Sequence, residues 1–228
     1  MPKAMRHLQH ELGNASTPII AYNGGLIINE DKIIQSTEIN NSVLESIINK
    51  CNNTSIHISL FHADEWFVPT LDFWAKREIN NTKVVPELKP PTDVLKSWKQ
   101  EGKGGHKIMC MGEDTEIDYL YHALEKEHAN DIHLYRSKST YIEISHRSIS
   151  KKTAIETLIN ICYPHIAMHE VVAFGDNYND VEMLKSVGLG IAVANANEAV
   201  LKTAKRVTET NINDGVAIAL SGIFQLSH

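Results

Sequence analysis

The sequence lacks the features that mark membrane-spanning and secreted proteins. No run of apolar residues approaches the roughly 18 that cross a bilayer, and residues 1–13 lack the apolar core of a signal peptide. The three cysteines, Cys51, Cys110 and Cys162, are odd in number and widely spaced. This pattern indicates neither a disulfide framework nor a CxxC motif. We therefore expect a cytoplasmic protein without a membrane partner.

An excess of basic residues is also missing. The chain has 28 acidic residues against 22 lysines and arginines, which gives a formal net charge of -6 over 228 residues. A mildly acidic protein has no long-range attraction for a phosphate backbone, so nucleic acid is not expected as a partner. An anionic small molecule still suits the chain if a few cationic side chains converge locally.

What is present is the pattern of an α/β protein. Residues 170–174 are almost continuously apolar, which suits a strand buried on both faces of a parallel sheet. A helical pattern over 180–187 and a strand over 190–193 come next, and this alternation indicates a doubly wound sheet. Residues 55–146 mix short strands with helices, which indicates an α+β region inserted into that core.

The N-terminal part predicts short elements with identifiable boundaries. Residues 17–22 are an apolar run typical of a strand, and residues 26–28 and 32–34 have the pattern of a hairpin. Ser42 is the predicted N-cap of the next helix. The polar segment at residues 89–92 predicts a loop.

Two aspartates come after the apolar strand. Asp176 lies just beyond its carboxyl end, where open α/β sheets place their ligands. Asp180 is four residues later, so a helix that begins here brings both carboxylates to one side. With waters and a substrate phosphate, two such carboxylates suit Mg²⁺. The spacing fits equally well a loop whose aspartates only cap the helix and stabilise its positive end.

A second polar segment precedes the helix predicted over residues 151–161. Ser150 is a suitable N-cap, which puts Lys151 and Lys152 in the first turn, where the helix dipole disfavours positive charge. The cost at an exposed site is only a few tenths of a kcal/mol, so two solvated lysines are one explanation. The other explanation is that Lys151 faces an anion shared with Asp176 and neutralises phosphate oxygens during phosphoryl transfer.

Segments along the whole chain, in order, resemble the Cof-like branch of the haloacid dehalogenase (HAD) superfamily of phosphatases. Gly-Asp-Asn-Tyr-Asn-Asp at residues 175–180 resembles the fourth HAD motif, and Ser-Lys at residues 150–151 resembles the third. The other matching segments are residues 22–25, 141–144, 183–184, 190–196, 207–211 and 214–216.

The resemblance implies a domain organisation and a metal site. The Rossmann-like core would comprise residues 1–29 and 147–228, and residues 30–146 would form an inserted cap domain that selects the substrate. Asp176 would bind Mg²⁺ directly, and Asp180 would bind it directly or through a water molecule.

The resemblance also implies a phosphate site. Lys151 would steady the phosphate and the attacking nucleophile, and Asn179 would contact the phosphate or Lys151. Asn23 would lie near the leaving group, and Gly24 is a further candidate for binding the phosphate or the substrate. The cap offers further candidate substrate contacts, which are more commonly surface or packing residues: His62, Asp64, Trp66 and Arg136.

The chain departs from the family at its start. Family members carry Asp-x-Asp-Gly-Thr on their first strand, where one aspartate attacks phosphorus and the other acts as general acid and base. These 228 residues contain no Asp-x-Asp and no Ser/Thr-Gly-Arg motif. Residues 1–5 align with the family segment that comes directly after the Ser/Thr-Gly-Arg motif. We therefore expect a truncated form, with a core that is incomplete at its N-terminus and has an unpaired apolar edge.

The leading hypothesis is a Mg²⁺-dependent phosphatase of small phosphate monoesters, such as sugar phosphates, that is inactive in this form for lack of the nucleophile. One alternative is a non-catalytic pseudophosphatase or binding protein that keeps the cation site. Another is a phosphomutase of the same fold. The expected partner is a small phosphorylated metabolite.

Overall fold

The structure, a computed structural model, describes residues 1–225 apart from the side chain of Ser137. The chain divides into two compact units between Ile149 and Ser150. In the described part, no helix is both long and apolar enough to cross a membrane. The predicted division into a core and an inserted cap stays a prediction.

The first unit contains helices and strands in a mixed order. Its helices are α1 (Pro2–Glu11), α2 (Asn41–Cys51), α3 (Phe73–Thr82), α4 (Pro91–Glu101) and α5 (Asp114–His128). Its strands are β1 (Ile19–Ala21), β2 (Leu26–Asn29), β3 (Lys32–Ser36), β4 (His57–His62), β5 (Glu65–Val68), β6 (Glu87–Leu88), β7 (Lys107–Met111), β8 (Ile132–Lys138) and β9 (Tyr141–His146).

The largest sheet of this unit has the strand order β6-β5-β4-β7-β9-β8 and is antiparallel except between β5 and β6. Side chains alternate between its faces because successive residues of a strand point to opposite sides. One face packs against α2, α4 and α5 through Ile108, Cys110, Ile142 and Ile144. The opposite face therefore receives Lys107, Met109, Tyr141 and Glu143.

A smaller antiparallel sheet, with the order β1-β2-β3, confirms the predicted first strand and hairpin. Ile19 and Leu26 of this sheet share an apolar cluster with Phe61, Trp66 and Met109 of the larger one. This cluster therefore joins the small sheet to the large one within the first unit.

Two predicted boundaries in this unit are wrong. The N-cap of α2 is Asn40, not Ser42, because the backbone is still extended at Asn40 and turns helical at Asn41. The predicted loop at residues 89–92 is cut short, because α4 begins at Pro91. Proline is favoured in the first turn of a helix, because backbone N–H groups there have no intrahelical acceptor and the absence of one costs no hydrogen bond.

The second unit has the predicted alternation of helices and strands. Its elements are α6 (Lys151–Cys162), β10 (Val172–Gly175), α7 (Val181–Ser186), β11 (Leu189–Val193), α8 (Glu198–Thr203), β12 (Arg206–Thr208) and α9 (Gly215–Phe224). Strands β10, β11 and β12 are parallel neighbours in that order, so β10 lies at an edge of this sheet. Its core includes Ala173 of β10, Leu184 of α7 and Val200 of α8.

Candidate active site

The first turn of α6 positions Lys151. The Ser150 hydroxyl accepts a hydrogen bond from the Thr153 N–H at 3.2 Å, and the Thr153 hydroxyl accepts one from the Ser150 N–H at 2.9 Å. This reciprocal pair satisfies two backbone donors at the helix start and confirms Ser150 as the N-cap. Lys151 is the first helical residue, and its ammonium donates to Asp180 Oδ1 at 2.5 Å.

Asp180 is the buried partner of this pair. Its side chain is 2% exposed, against 33% for Lys151. Oδ2 of the same carboxylate accepts hydrogen bonds from the N–H groups of Asp176 at 3.0 Å and Asn177 at 3.1 Å. A buried carboxylate needs such donors and a cation, because desolvating an unpaired charge is costly. Both Asp180 oxygens are thus held by the protein.

Gly175 permits this arrangement at the end of β10. A Cβ atom at Gly175 would lie 2.5 Å from the Cβ and 2.9 Å from the Cγ of Asp180. Only glycine lets the buried carboxylate approach the end of the strand this closely. The requirement for glycine at residue 175 is therefore steric.

The loop that carries Asp176 is braced from the segment before α8. The Asn197 N–H donates to the Asp176 carbonyl at 3.0 Å, and the Asn197 side-chain amide donates to Asn177 Oδ1 at 3.2 Å. The Asp176 carboxylate is exposed, and Asn179 is half-buried in the same loop. The fixed backbone therefore presents an exposed carboxylate next to the Lys151–Asp180 pair.

The other predicted site residues lie in the first unit. Asn23 has a left-handed backbone conformation (φ 57°, ψ 20°), and Gly24 is next with φ 109°. The Asn23 amide donates to Glu143 Oε1 at 2.7 Å. Asn23 is thereby tied to β9 of the larger sheet.

The donor set at Asp176 fits Mg²⁺. This ion is commonly held by one or two carboxylates, with waters and phosphate oxygens completing its octahedron. Asp176 offers an exposed carboxylate, whereas direct coordination by Asp180 would displace the hydrogen bond from Lys151. The geometry therefore favours Asp176 as the direct ligand and Asp180 as the residue that holds Lys151 and the loop.

A second group of ionisable side chains, in the first unit, consists of Glu38, His62 and His106. The sequence offered His62 as a candidate cap contact but did not predict this cluster. His106 Nδ1 accepts a hydrogen bond from the Ala63 N–H at 3.1 Å, so a neutral ring carries its proton on Nε2, beside the Ser36 hydroxyl at 2.9 Å. That tautomer offers no free nitrogen to a metal. Burial, and then the neighbouring His62, lower the pKa of His106 to about 4, against the opposing effect of Glu38.

The candidate cap contacts have structural partners. Asp64 accepts from Arg6 at 2.6 Å, Trp66 is buried, and Arg136 donates to Asp118 at 2.7 Å. His62 is hydrogen-bonded to the Gly104 carbonyl at 2.8 Å. Their proposed contact with substrate stays a prediction.

Fold and site together define an α/β protein with a lysine–carboxylate site at the carboxyl end of a parallel strand. A family model described as haloacid dehalogenase-like hydrolase matches residues 1–220. A putative phosphatase from Haemophilus influenzae is 31% identical over 209 residues, which are 90% of this chain and 76% of that protein. The chain therefore belongs to the haloacid dehalogenase-like hydrolase family.

Other relatives and structures agree with this assignment. A 5-amino-6-(5-phospho-D-ribitylamino)uracil phosphatase from Bacillus subtilis is 35% identical over 132 residues, covering 56% of this chain and 52% of that protein. A haloacid dehalogenase-like hydrolase from Bacteroides thetaiotaomicron superposes with a TM-score of 0.85 at 26% identity, over 98% of this chain and 84% of the other. A HAD subclass IIB sugar phosphatase shares the fold, with a TM-score of 0.81 at 18% identity over 99% of this chain and 83% of that one.

Proposed function

We propose that this chain is the cation- and substrate-binding part of a Mg²⁺-dependent phosphatase that acts on small phosphate monoesters, such as sugar phosphates. The observation that carries the proposal is the buried Asp180, which holds the Lys151 ammonium beside the loop of Asp176. The phosphatases among its relatives support the reaction class. A small phosphorylated metabolite as the partner and a cytoplasmic location belong to the same proposal.

Each site residue has a role in this proposal. Asp176 would hold Mg²⁺, which neutralises charge on the phosphoryl oxygens when bound. Lys151 would bind a phosphoryl oxygen, because its ammonium has three donors and Asp180 uses only one face of it. Asn179 would add a polar contact to the phosphate or to Lys151. Asn23 would lie on the leaving-group side, and Gly24 would contact the phosphate or the substrate.

The attacking aspartate is not among these 228 residues, because they contain no Asp-x-Asp. We therefore expect no turnover from the chain by itself. Turnover is expected from a chain that is extended at its N-terminus by a family strand with the Asp-x-Asp-Gly-Thr sequence. In such a chain, the two aspartates would supply the nucleophile and the general acid and base.

Hydrolysis of p-nitrophenyl phosphate, with and without Mg²⁺, tests the proposal on both forms. We expect activity only in the extended form and only with Mg²⁺. Lys151→Met and Asp176→Asn in that form should each lower turnover about a hundredfold or more, because each removes charge stabilisation of the transition state. An extended form that hydrolyses the ester equally well with and without Mg²⁺, or with Lys151→Met, would refute the assignment.

The missing Asp-x-Asp favours one alternative, a non-catalytic binding protein that keeps the cation site. This alternative predicts no turnover in either form, together with retained binding of phosphate esters. Interconversion of hexose phosphate isomers by the extended form would instead indicate a phosphomutase.

A further inference from the structure

A pocket of about 260 Å³ opens on the face of the large sheet that α2, α4 and α5 leave uncovered. Its floor comes from β7 and β9, whose register pairs Met109 with Glu143. Helix α3 contributes one wall of it. The residues that matter for its chemistry are Trp74, Arg77, Lys107, Met109, Lys138 and Glu143. All of them belong to the first unit.

Lys107 is the unusual member of this pocket. Its side chain is only 14% exposed, and the closest carboxylate oxygen, Glu143 Oε2, is 3.6 Å from its ammonium, which is beyond hydrogen-bond length. The ammonium lies 4.7 Å from the centroid of the Phe61 ring, so part of its stabilisation is a cation–π contact. Among the described residues, the ammonium makes no hydrogen bond of ordinary length.

The contrast with Lys103 shows what Lys107 lacks. Lys103 is comparably shielded, at 19% exposure, and it donates to Glu65 at 2.8 Å and approaches Glu101 at 2.7 Å. Lys107 has instead a longer ion pair with Glu143 and a cation–π contact with Phe61, which leave hydrogen-bonding capacity of its ammonium unused. Lys107 therefore presents donors into the pocket that no acceptor among the described residues reaches at hydrogen-bond length.

Glu143 is the nearest carboxylate, but its Oε2 stays 3.6 Å from the Lys107 ammonium, while its Oε1 binds Asn23. The Asn23 amide donates to Glu143 Oε1 at 2.7 Å, so the carboxylate is held between Asn23 and Lys107. The same contact connects the pocket to Asn23, the residue expected near the leaving group.

The charge and the size of the pocket limit the classes of ligand that fit it. Its ionisable lining has three cations, Arg77, Lys107 and Lys138, and two carboxylates, Glu78 and Glu143, in a chain whose net charge is -6. The local excess of positive charge favours an anionic group. At about 30 Å³ for each water molecule, the volume holds roughly nine waters, which suits an organic group of a similar number of non-hydrogen atoms.

We propose that this pocket binds the carboxylate of a short-chain sugar acid, with Lys107 as the residue that determines specificity. The substrate class is then a phosphorylated sugar acid of about four carbons. This inference rests on the proposed phosphatase function for the phosphate group. The pocket itself can be tested without that function.

The experiment is an NMR titration of the 228-residue chain with D-erythronate and with erythritol. Erythritol has a hydroxymethyl group in place of the carboxylate of D-erythronate and is otherwise the same. We expect D-erythronate to bind about tenfold more tightly, as one charge-assisted hydrogen bond predicts. Lys107→Gln should abolish this difference. The exposed Lys96→Gln, which removes the same charge from α4 outside the pocket, should retain it. Arg77→Gln is the second pocket variant, because Arg77 is exposed; it also removes the contact of the guanidinium with the Trp74 ring at 5.8 Å, and it should reduce the difference.

Equal affinity for the two compounds would overturn the inference, as would a folded Lys107→Gln variant that keeps the preference. Inorganic phosphate, titrated separately, reports on the proposed function, since its binding should depend on Lys151 and not on Lys107. Loss of the D-erythronate preference with Lys151-dependent phosphate binding intact refutes only the pocket. A retained D-erythronate preference, together with phosphate binding that does not depend on Lys151, refutes the phosphatase site and supports the carboxylate pocket.

Discussion

The ammonium of Lys151 and the carboxylate of Asp180, 29 residues apart in sequence, form a 2.5 Å hydrogen bond at the carboxyl end of β10. Asp180 also accepts the N–H groups of Asp176 and Asn177. One carboxylate thus caps the turn after the strand and fixes the lysine. Of the two explanations that the sequence left open for these aspartates, the hydrogen bonds of Asp180 fit capping, and binding of Mg²⁺ stays a prediction.

Asp180→Asn should destabilise the second unit by about 2 kcal/mol. Asparagine keeps an oxygen for the two backbone donors but turns an amide donor toward Lys151, and loss of one member of a buried charge pair is costly. Because Lys151 is partly exposed, this cost is smaller than that of a fully buried pair. Hydrogen exchange of the β10 and β11 amides measures the change. Asp176→Asn is the matched control, with an expected change within about 0.5 kcal/mol because its carboxylate is exposed. Equal effects of the two substitutions would contradict the assigned roles.

Gly175→Ala should cost roughly 1–3 kcal/mol, because the added methyl group overlaps the side chain of Asp180. The same exchange measurement applies. Gly222→Ala in α9 is the control, since a Cβ there meets nothing closer than an Arg206 nitrogen at 3.8 Å and alanine is the better helix former. A Gly175→Ala variant as stable as the control would show that Asp180 can move without penalty.

The first unit should lose stability as the pH falls from about 6.5 toward 4, partly through His106. Burial lowers the pKa of His106 from 6.5 to about 4. Between these pH values, His106 therefore binds a proton in the unfolded chain but not in the folded chain. The contribution of His106 is constant above this window, declines within it by up to about 3 kcal/mol, and is constant again below it.

Urea unfolding monitored by tryptophan fluorescence measures this effect, because Trp66, Trp74 and Trp98 all lie in the first unit. His106→Gln, compared with the unmodified chain at pH 7 and pH 4.5, should show a smaller loss on acidification. An equal loss in both proteins would mean that His106 titrates normally or that other groups dominate.

Local patterns predicted most of the second unit. The apolar run at residues 170–174 predicted β10, which begins two residues later and ends one residue later. Ser150 is the predicted N-cap, because its hydroxyl accepts a hydrogen bond from the Thr153 N–H. These features depend on residues that are close in sequence. The resemblance predicted that Lys151 and Asp180 belong to one site, but not the direct hydrogen bond between them. That contact could not be deduced from spacing, because it depends on how α6 packs beside the sheet.

The first unit was predicted less completely. Helix α3 is capped by Asp72, which accepts from the Ala75 N–H at 2.9 Å, but its exposed aromatic and charged residues hide any clear apolar stripe. The pocket around Lys107 depends on which residues of β7 and β9 are paired, and that register is a tertiary property. Alternation within each strand was visible in the sequence, whereas the pairing of Met109 with Glu143 was not.

The most direct test of the cation site is a titration of ¹⁵N-labelled protein with Mn²⁺, which prefers the same oxygen ligands as Mg²⁺ and broadens nearby NMR signals. We predict selective broadening of the amides of Asp176, Asn177 and Asp180, which Mg²⁺ reverses by competition and Asp176→Asn removes. Broadening centred on Glu38, His62 and His106, or broadening near residue 176 that survives Asp176→Asn, would contradict the account.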